Sequence, residues 1–128
     1  MTNVLVVGGA GYIGSHMAKM LALSGHDVFV LDNISTGFRN AVRYGRFVEG
    51  DLADQAILDW IFANNSIAAV LHFAALSQVG ESMREPSRYH RNNVSNTQNL
   101  LDVMLQHGVK HFIFSSTAAI FGEPKARL

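Results

Sequence analysis

Apolar residues in this chain come in short unbroken runs, separated by longer stretches in which they recur every three or four positions. The runs Val4, Leu5, Val6, Val7 and Val28, Phe29, Val30, Leu31 are continuous rather than alternating, as in strands buried on both faces. Weaker runs at residues 46–49, 69–72 and 111–115 predict three further strands. Residues 12–23 carry Ile13, Met17, Met20 and Leu21 at helical spacing, and Gly25 stands where a helix C-cap glycine belongs. Asp54 precedes Ile57, Leu58, Ile61 and Phe62, which share one face of a predicted, side-chain-capped helix. Pro86 is placed as the first residue of a long helix that ends at Gly108. Its predicted inward face is Val94, Thr97, Leu100, Leu101, Met104 and Leu105. Residues 33–45 read as a loop with one short helical turn.

Strands separated by helix-length segments require crossover connections, hence a parallel sheet with helices on both faces. The predicted class is α/β, a doubly wound sheet in the order 3-2-1-4-5, with a ligand beyond the carboxyl ends of strands 1 and 4. The 128 residues are 48% hydrophobic and 16% charged, with 11 Gly and 2 Pro, which argues against disorder and against a plain helical bundle. That length predicts one domain, residues 1–128, with no room for a second, substrate-binding one. Ten basic residues balance ten acidic ones, so no long-range field draws the chain to nucleic acid or to an anionic membrane. The absence of cysteine excludes a disulfide scaffold, a thiolate zinc site and a cysteine nucleophile. It also fits a reducing compartment. The residue 4–7 run is too short for a signal-peptide core or a membrane span, so the expectation is a soluble, cytoplasmic protein. The six histidines show no metal-ligand spacing.

Chemistry concentrates in two places. Gly8, Gly11 and Gly14 fall between the first strand and the first helix. In such a loop the first glycine permits a tight turn, the second lets backbone approach a diphosphate, and the third lets the helix pack on the sheet. The N–H groups of the first helical turn then face the anion. Asp32 ends the second strand, where a carboxylate accepts from ribose hydroxyls and repels a 2′-phosphate. That favours NAD over NADP, although Arg39 lies close in sequence. Asp51, with Leu52 beside it, follows the third strand and could meet an adenine; an N-terminal helix acid beside Asp54 fits those residues nearly as well.

Four segments together carry a family resemblance. They are residues 6–16 around the glycines, 30–33 with Asp32 and Asn33, 72–82 from His72-Phe73-Ala74-Ala75 to Val79-Gly80-Glu81-Ser82, and 114–122 around Ser115-Ser116-Thr117-Ala118-Ala119. The chain resembles the UDP-glucose 4-epimerase (UDP-galactose 4-epimerase) family of the extended short-chain dehydrogenase/reductase superfamily, over nearly its whole length. The resemblance implies a Rossmann-like fold and NAD as cofactor. It implies cofactor contacts from Gly8, Gly11, Tyr12, Ile13, Gly14, Asp32, Asn33, Asp51, Leu52, Phe73, Ala74, Ala75, Asn92 and Ser115. Thr117 matches the family's catalytic Ser/Thr, which bonds to the sugar 4-hydroxyl. The implied activity is interconversion of UDP-glucose and UDP-galactose through a 4-keto sugar, with a Tyr-x-x-x-Lys pair supplying the base.

This sequence departs from that pattern. Tyr12, Tyr44 and Tyr89 are the only tyrosines, and the residues four positions on are His16, Val48 and Asn93. None is lysine. Ser77 stands where some members carry a lysine. The expectation is therefore an amino-terminal NAD-binding part, truncated after strand five, without its substrate domain and inactive alone. In the family the long helix packs in a dimer interface, and strand five would here form an exposed edge, which predicts self-association. Two alternatives stand beside this reading: a non-catalytic dinucleotide-binding module, or a fragment of another nucleotide-sugar epimerase or dehydratase.

Overall fold

Continuous apolar strands need cover on both faces, and the computed structural model, which describes residues 2–34, 39–74 and 83–115, shows what supplies it. The strands are β1 (Asn3–Val7), β2 (Asp27–Asp32), β3 (Arg46–Glu49), β4 (Ile67–His72) and β5 (His111–Phe114). All pair in parallel, in the predicted order β3-β2-β1-β4-β5. The winding reverses between β1 and β4, which opens a crevice at their carboxyl ends.

Side chains alternate across the sheet with period two. Leu5, Val7, Phe29, Leu31 and Val70 pack against Leu58, Ile61 and Phe62 of helix α2 (Gln55–Asn64), and against Leu100, Val103 and Met104 from the long helix described below. Val4, Val6, Val28, Val30 and Leu71 face the other way, toward Met17, Ala18 and Leu21 of α1 (Tyr12–Leu23). The inner face of α1 departs from the predicted one. Gly14 and Ala18 are buried, while Ile13 and Met20 lie outside. Small residues let the helix axis approach the sheet, and that close approach sets which side turns inward.

Asp54 caps α2 as predicted, its Oδ1 accepting from the Ala56 and Ile57 N–H groups at 3.0 and 3.3 Å. Asp54→Ala should cost about 1 kcal/mol. In a domain of this size that lowers the melting midpoint by about 4 °C, read by circular dichroism.

The long helix is continuous but not uniform. Segment α3 (Pro86–His90) passes through one π-type stretch, Arg91–Ser95, into α4 (Asn96–Gln106), with helical backbone angles at both junctions. Its buried line is Tyr89, Asn96, Leu100, Val103 and Met104. Val94 and Leu105, predicted to face inward, are 54% and 77% exposed. On a 3.6-residue helix they sit about 120° and 140° from Leu100, whereas Asn96 and Val103 sit within about 60°. Choosing the apolar residues alone missed that the buried line admits an asparagine.

At the far edge, Ile113 of β5 is 58% exposed; among the described residues no strand pairs with β5 on its outer side. Among the described residues no helix is long and apolar enough to cross a membrane.

Candidate functional site

The chain leaves β1 through Gly8, whose φ is +81° and whose N–H donates to the Leu31 carbonyl at 2.8 Å. A β-carbon at Gly8 would stand 2.7 Å from Ala74 N and Phe73 C. The backbone angle and the neighbouring strand exit both demand glycine there. At Gly14, in the first turn of α1, a β-carbon would lie 2.2 Å from the Gly8 carbonyl oxygen. Gly11 differs from both. Its φ of −78° suits any residue, and among the described residues an added β-carbon would meet only the Gly8 carbonyl oxygen, at 3.4 Å. Among those residues neither the backbone nor the packing requires glycine at position 11. No side chain caps α1. Its first helical bond runs from the Ser15 N–H to the Gly11 carbonyl, 2.9 Å, so the N–H groups of Tyr12, Ile13 and Gly14 have no partner within the helix.

Asp32 holds this loop in place. Its Oδ2 accepts from the Ala10 N–H at 2.9 Å and its Oδ1 from the Ile34 N–H at 2.8 Å, leaving each oxygen a further lone pair for hydroxyl donors. Beside it the Asn33 amide donates to Asp51 Oδ2 (3.1 Å), and Asp51 Oδ1 accepts from the Ala53 N–H (2.9 Å). The fold thus brings Asp32, Asn33 and Asp51 together at the carboxyl ends of β2 and β3. Leu52 is different: it lies in the core, 6% exposed, so its side chain does not stand free to lie along a ring. Arg39 stacks over Phe47, 5.3 Å from the ring centroid.

A second group gathers where β4 ends. The Phe73 N–H donates to the Val7 carbonyl (2.7 Å), the Asn92 amide to the Ala74 carbonyl (3.0 Å) and the Ser115 N–H to the His72 carbonyl (3.0 Å). Phe73, Ala74, Asn92 and Ser115 are thus brought together at the carboxyl end of β4, with Gly8 packed against Ala74. Ala75, Ser77 and Thr117 lie outside the described residues.

Sequence reasoning gave His72 no role beyond ordinary packing. It is fully buried, with Nδ1 accepting from the Ala74 N–H at 3.3 Å and Nε2 3.3 Å from Thr97 Oγ1. Burial pushes its pKa below the ordinary imidazole value, a local backbone hydrogen bond opposing the shift. The available signal was a single polar residue closing an apolar run.

Comparison with known proteins agrees with this geometry. The sequence model of the NAD dependent epimerase/dehydratase family matches residues 4–127. A UDP-glucose 4-epimerase of Halalkalibacterium halodurans is 51% identical over 121 residues, covering 94% of this chain and 36% of that relative. The crystal structure of UDP-glucose 4-epimerase from Brucella ovis in complex with NAD superposes with a TM-score of 0.92 at 52% identity, over 100% of this chain and 39% of that one. The Bifidobacterium longum enzyme in complex with NAD+ and UDP gives 0.90 at 40% identity, over 98% and 40%. The chain thus spans little more than a third of each of these proteins. A glycine loop at the crevice, the sheet order and a match over residues 4–127 converge: the chain belongs to the NAD dependent epimerase/dehydratase family.

Proposed function

We propose that this chain is the NAD-holding part of a UDP-hexose 4-epimerase, and that alone it binds the dinucleotide without epimerising a sugar. The observation that carries the reading is the uncapped first turn of α1, entered through Gly11, where among the described residues an added β-carbon would meet nothing closer than the Gly8 carbonyl oxygen at 3.4 Å. Neither the backbone angle nor the packing explains a glycine there, and a bound diphosphate does.

The residues present fit the cofactor. Gly8, Gly11, Tyr12, Ile13 and Gly14 would hold the diphosphate through backbone N–H groups. Asp32 and Asn33 would take the adenosine ribose, Asp51 the adenine edge with Leu52 through its backbone, and Phe73, Ala74, Ala75, Asn92 and Ser115 the nicotinamide end. Bound there, NAD supplies reversible hydride acceptance from a sugar carbon. The chain's own part is to bind and orient, and by the family resemblance the Thr117 hydroxyl would bond to the sugar 4-hydroxyl. A general base is missing, because none of Tyr12, Tyr44 and Tyr89 has a lysine four residues on. We assign that base and the sugar-binding residues to the further length that the relatives have. The exposed Ile113 face and the open edge of β5 support self-association, and the cysteine-free sequence fits the cytoplasm.

Isothermal titration of the folded chain with NAD should give saturable heat, and Gly11→Val should abolish it while leaving the melting midpoint unchanged. Folded protein giving no heat would sink the cofactor reading. Conversion of UDP-galactose to UDP-glucose by the purified chain would overturn the claim of inactivity.

A further inference from the structure

His72 closes β4 directly beneath the site, and three of its polar atoms each hold a different part of the fold. Nδ1 accepts from the Ala74 N–H (3.3 Å), Nε2 lies 3.3 Å from Thr97 Oγ1 on α4, and its carbonyl accepts from the Ser115 N–H (3.0 Å) beyond β5. Because Nδ1 accepts, the ring proton sits on Nε2, which donates to the Thr97 hydroxyl. Phe112 and Phe114 hold the ring, with centroids at 6.2 and 5.4 Å. Ala74 is also the residue against which Gly8 packs, and its carbonyl accepts from Asn92.

We propose that His72 is the positioning residue of this cofactor site. Its neutral imidazole fixes the Ala74 backbone under the glycine loop and ties it to α4, and a proton on the ring releases Ala74. The cofactor part of this inference rests on the reading above that NAD binds here. A proton on Nδ1 removes the only lone pair facing the Ala74 N–H and sets two donors against each other. Among the described residues no charged or titratable group faces the ring: its neighbours are Phe112 and Phe114 on β5, Thr97 on α4, Val7 on β1 and Ala74 at the strand exit. A charge formed there has no partner, which agrees with the lowered pKa caused by burial. The sign follows: with the folded value below the ordinary imidazole value, the arrangement is intact above that ordinary value. It is lost as pH falls from there through the folded pKa.

The test is NAD titration at a series of pH values from about 8 down past the His72 transition read by nitrogen-15 spectra, with the wild-type chain, His72→Asn and His72→Gln, the fold monitored by circular dichroism. Asn offers an untitratable acceptor near the place of Nδ1. Gln reaches toward Thr97 and leaves the Ala74 N–H without its acceptor. Wild-type affinity should fall through the His72 transition, His72→Asn should stay level across it, and His72→Gln should be weaker about tenfold at every pH. Equal pH profiles for wild type and His72→Asn, or wild-type affinity for His72→Gln, would overturn the proposal. Nitrogen-15 spectra of the free wild-type chain provide a reading that needs no ligand. The imidazole should show the Nε2–H tautomer, and the Ala74 amide signal should move with the His72 titration. An Nδ1–H tautomer, or an Ala74 signal indifferent to that titration, would overturn the positioning role. Absence of NAD binding at the highest pH with the expected spectra would instead overturn the cofactor reading alone.

Discussion

Gly14→Ala is expected to cost the protein its glycine loop and much of its stability, beyond any effect on a ligand. The added β-carbon would stand 2.2 Å from the Gly8 carbonyl oxygen and 2.9 Å from both Gly8 C and Gly9 Cα. All three are backbone atoms, so no side-chain rotation relieves the clash. Nor is the loop free to retreat. Gly8 is bonded to Leu31, and Ala10 to Asp32. The helix is anchored on the same face, one turn on, by Ala18 in the core. Overpacking at a site pinned in both loop and helix costs about 3 kcal/mol or more, out of a total stability of about 5–15 kcal/mol. The melting midpoint should fall by about 10 °C or more, and the heat of NAD binding should disappear. Gly11→Val is the matched comparison, since its β-carbon three residues away stands 3.4 Å from the Gly8 carbonyl oxygen rather than 2.2 Å. A wild-type midpoint for Gly14→Ala would show that the loop and helix are not held as described.

Asp32→Ala is expected to abolish NAD binding and to destabilise the chain by about 2 kcal/mol. The carboxylate has two tasks. It closes the glycine loop through the Ala10 N–H and the turn after β2 through the Ile34 N–H. With alanine both donors lose a charged acceptor, and the ribose hydroxyls lose theirs. Urea denaturation reads the first loss and calorimetry the second. A variant that is destabilised but binds NAD with unchanged affinity would assign Asp32 to the fold alone.

Much of the architecture was legible in the chain. Two continuous apolar runs, three weaker ones and the helix-length segments between them dictate a covered parallel sheet, because periodicity is a local property that each segment carries by itself. The three-residue glycine spacing at the exit of the first run likewise marked the tight turn and the close helix approach before any contact was known. The faces of the helices were less legible. Apolar content nominated Val94 and Leu105, but the buried line passes through Asn96 and Val103, since helix geometry and the shape of the neighbour choose the face. The burial of the Leu52 side chain was not legible for the same reason: a residue following a strand can turn to the core as easily as to the crevice.

The sequence alone determined the strand pattern, the glycine turn, the carboxylate after β2 and the missing Tyr-x-x-x-Lys base. Only the tertiary structure separated Gly11 from Gly14, which look alike in one dimension. A β-carbon would touch the Gly8 carbonyl oxygen at 3.4 Å from the first and clash with it at 2.2 Å from the second. Only it joined Asp32 to an N–H 22 residues earlier, and His72 to Ala74, Thr97 and Ser115. The reason is physical: spacing along the chain encodes which elements form, whereas contacts between them depend on strand order and register, set by the whole core at once.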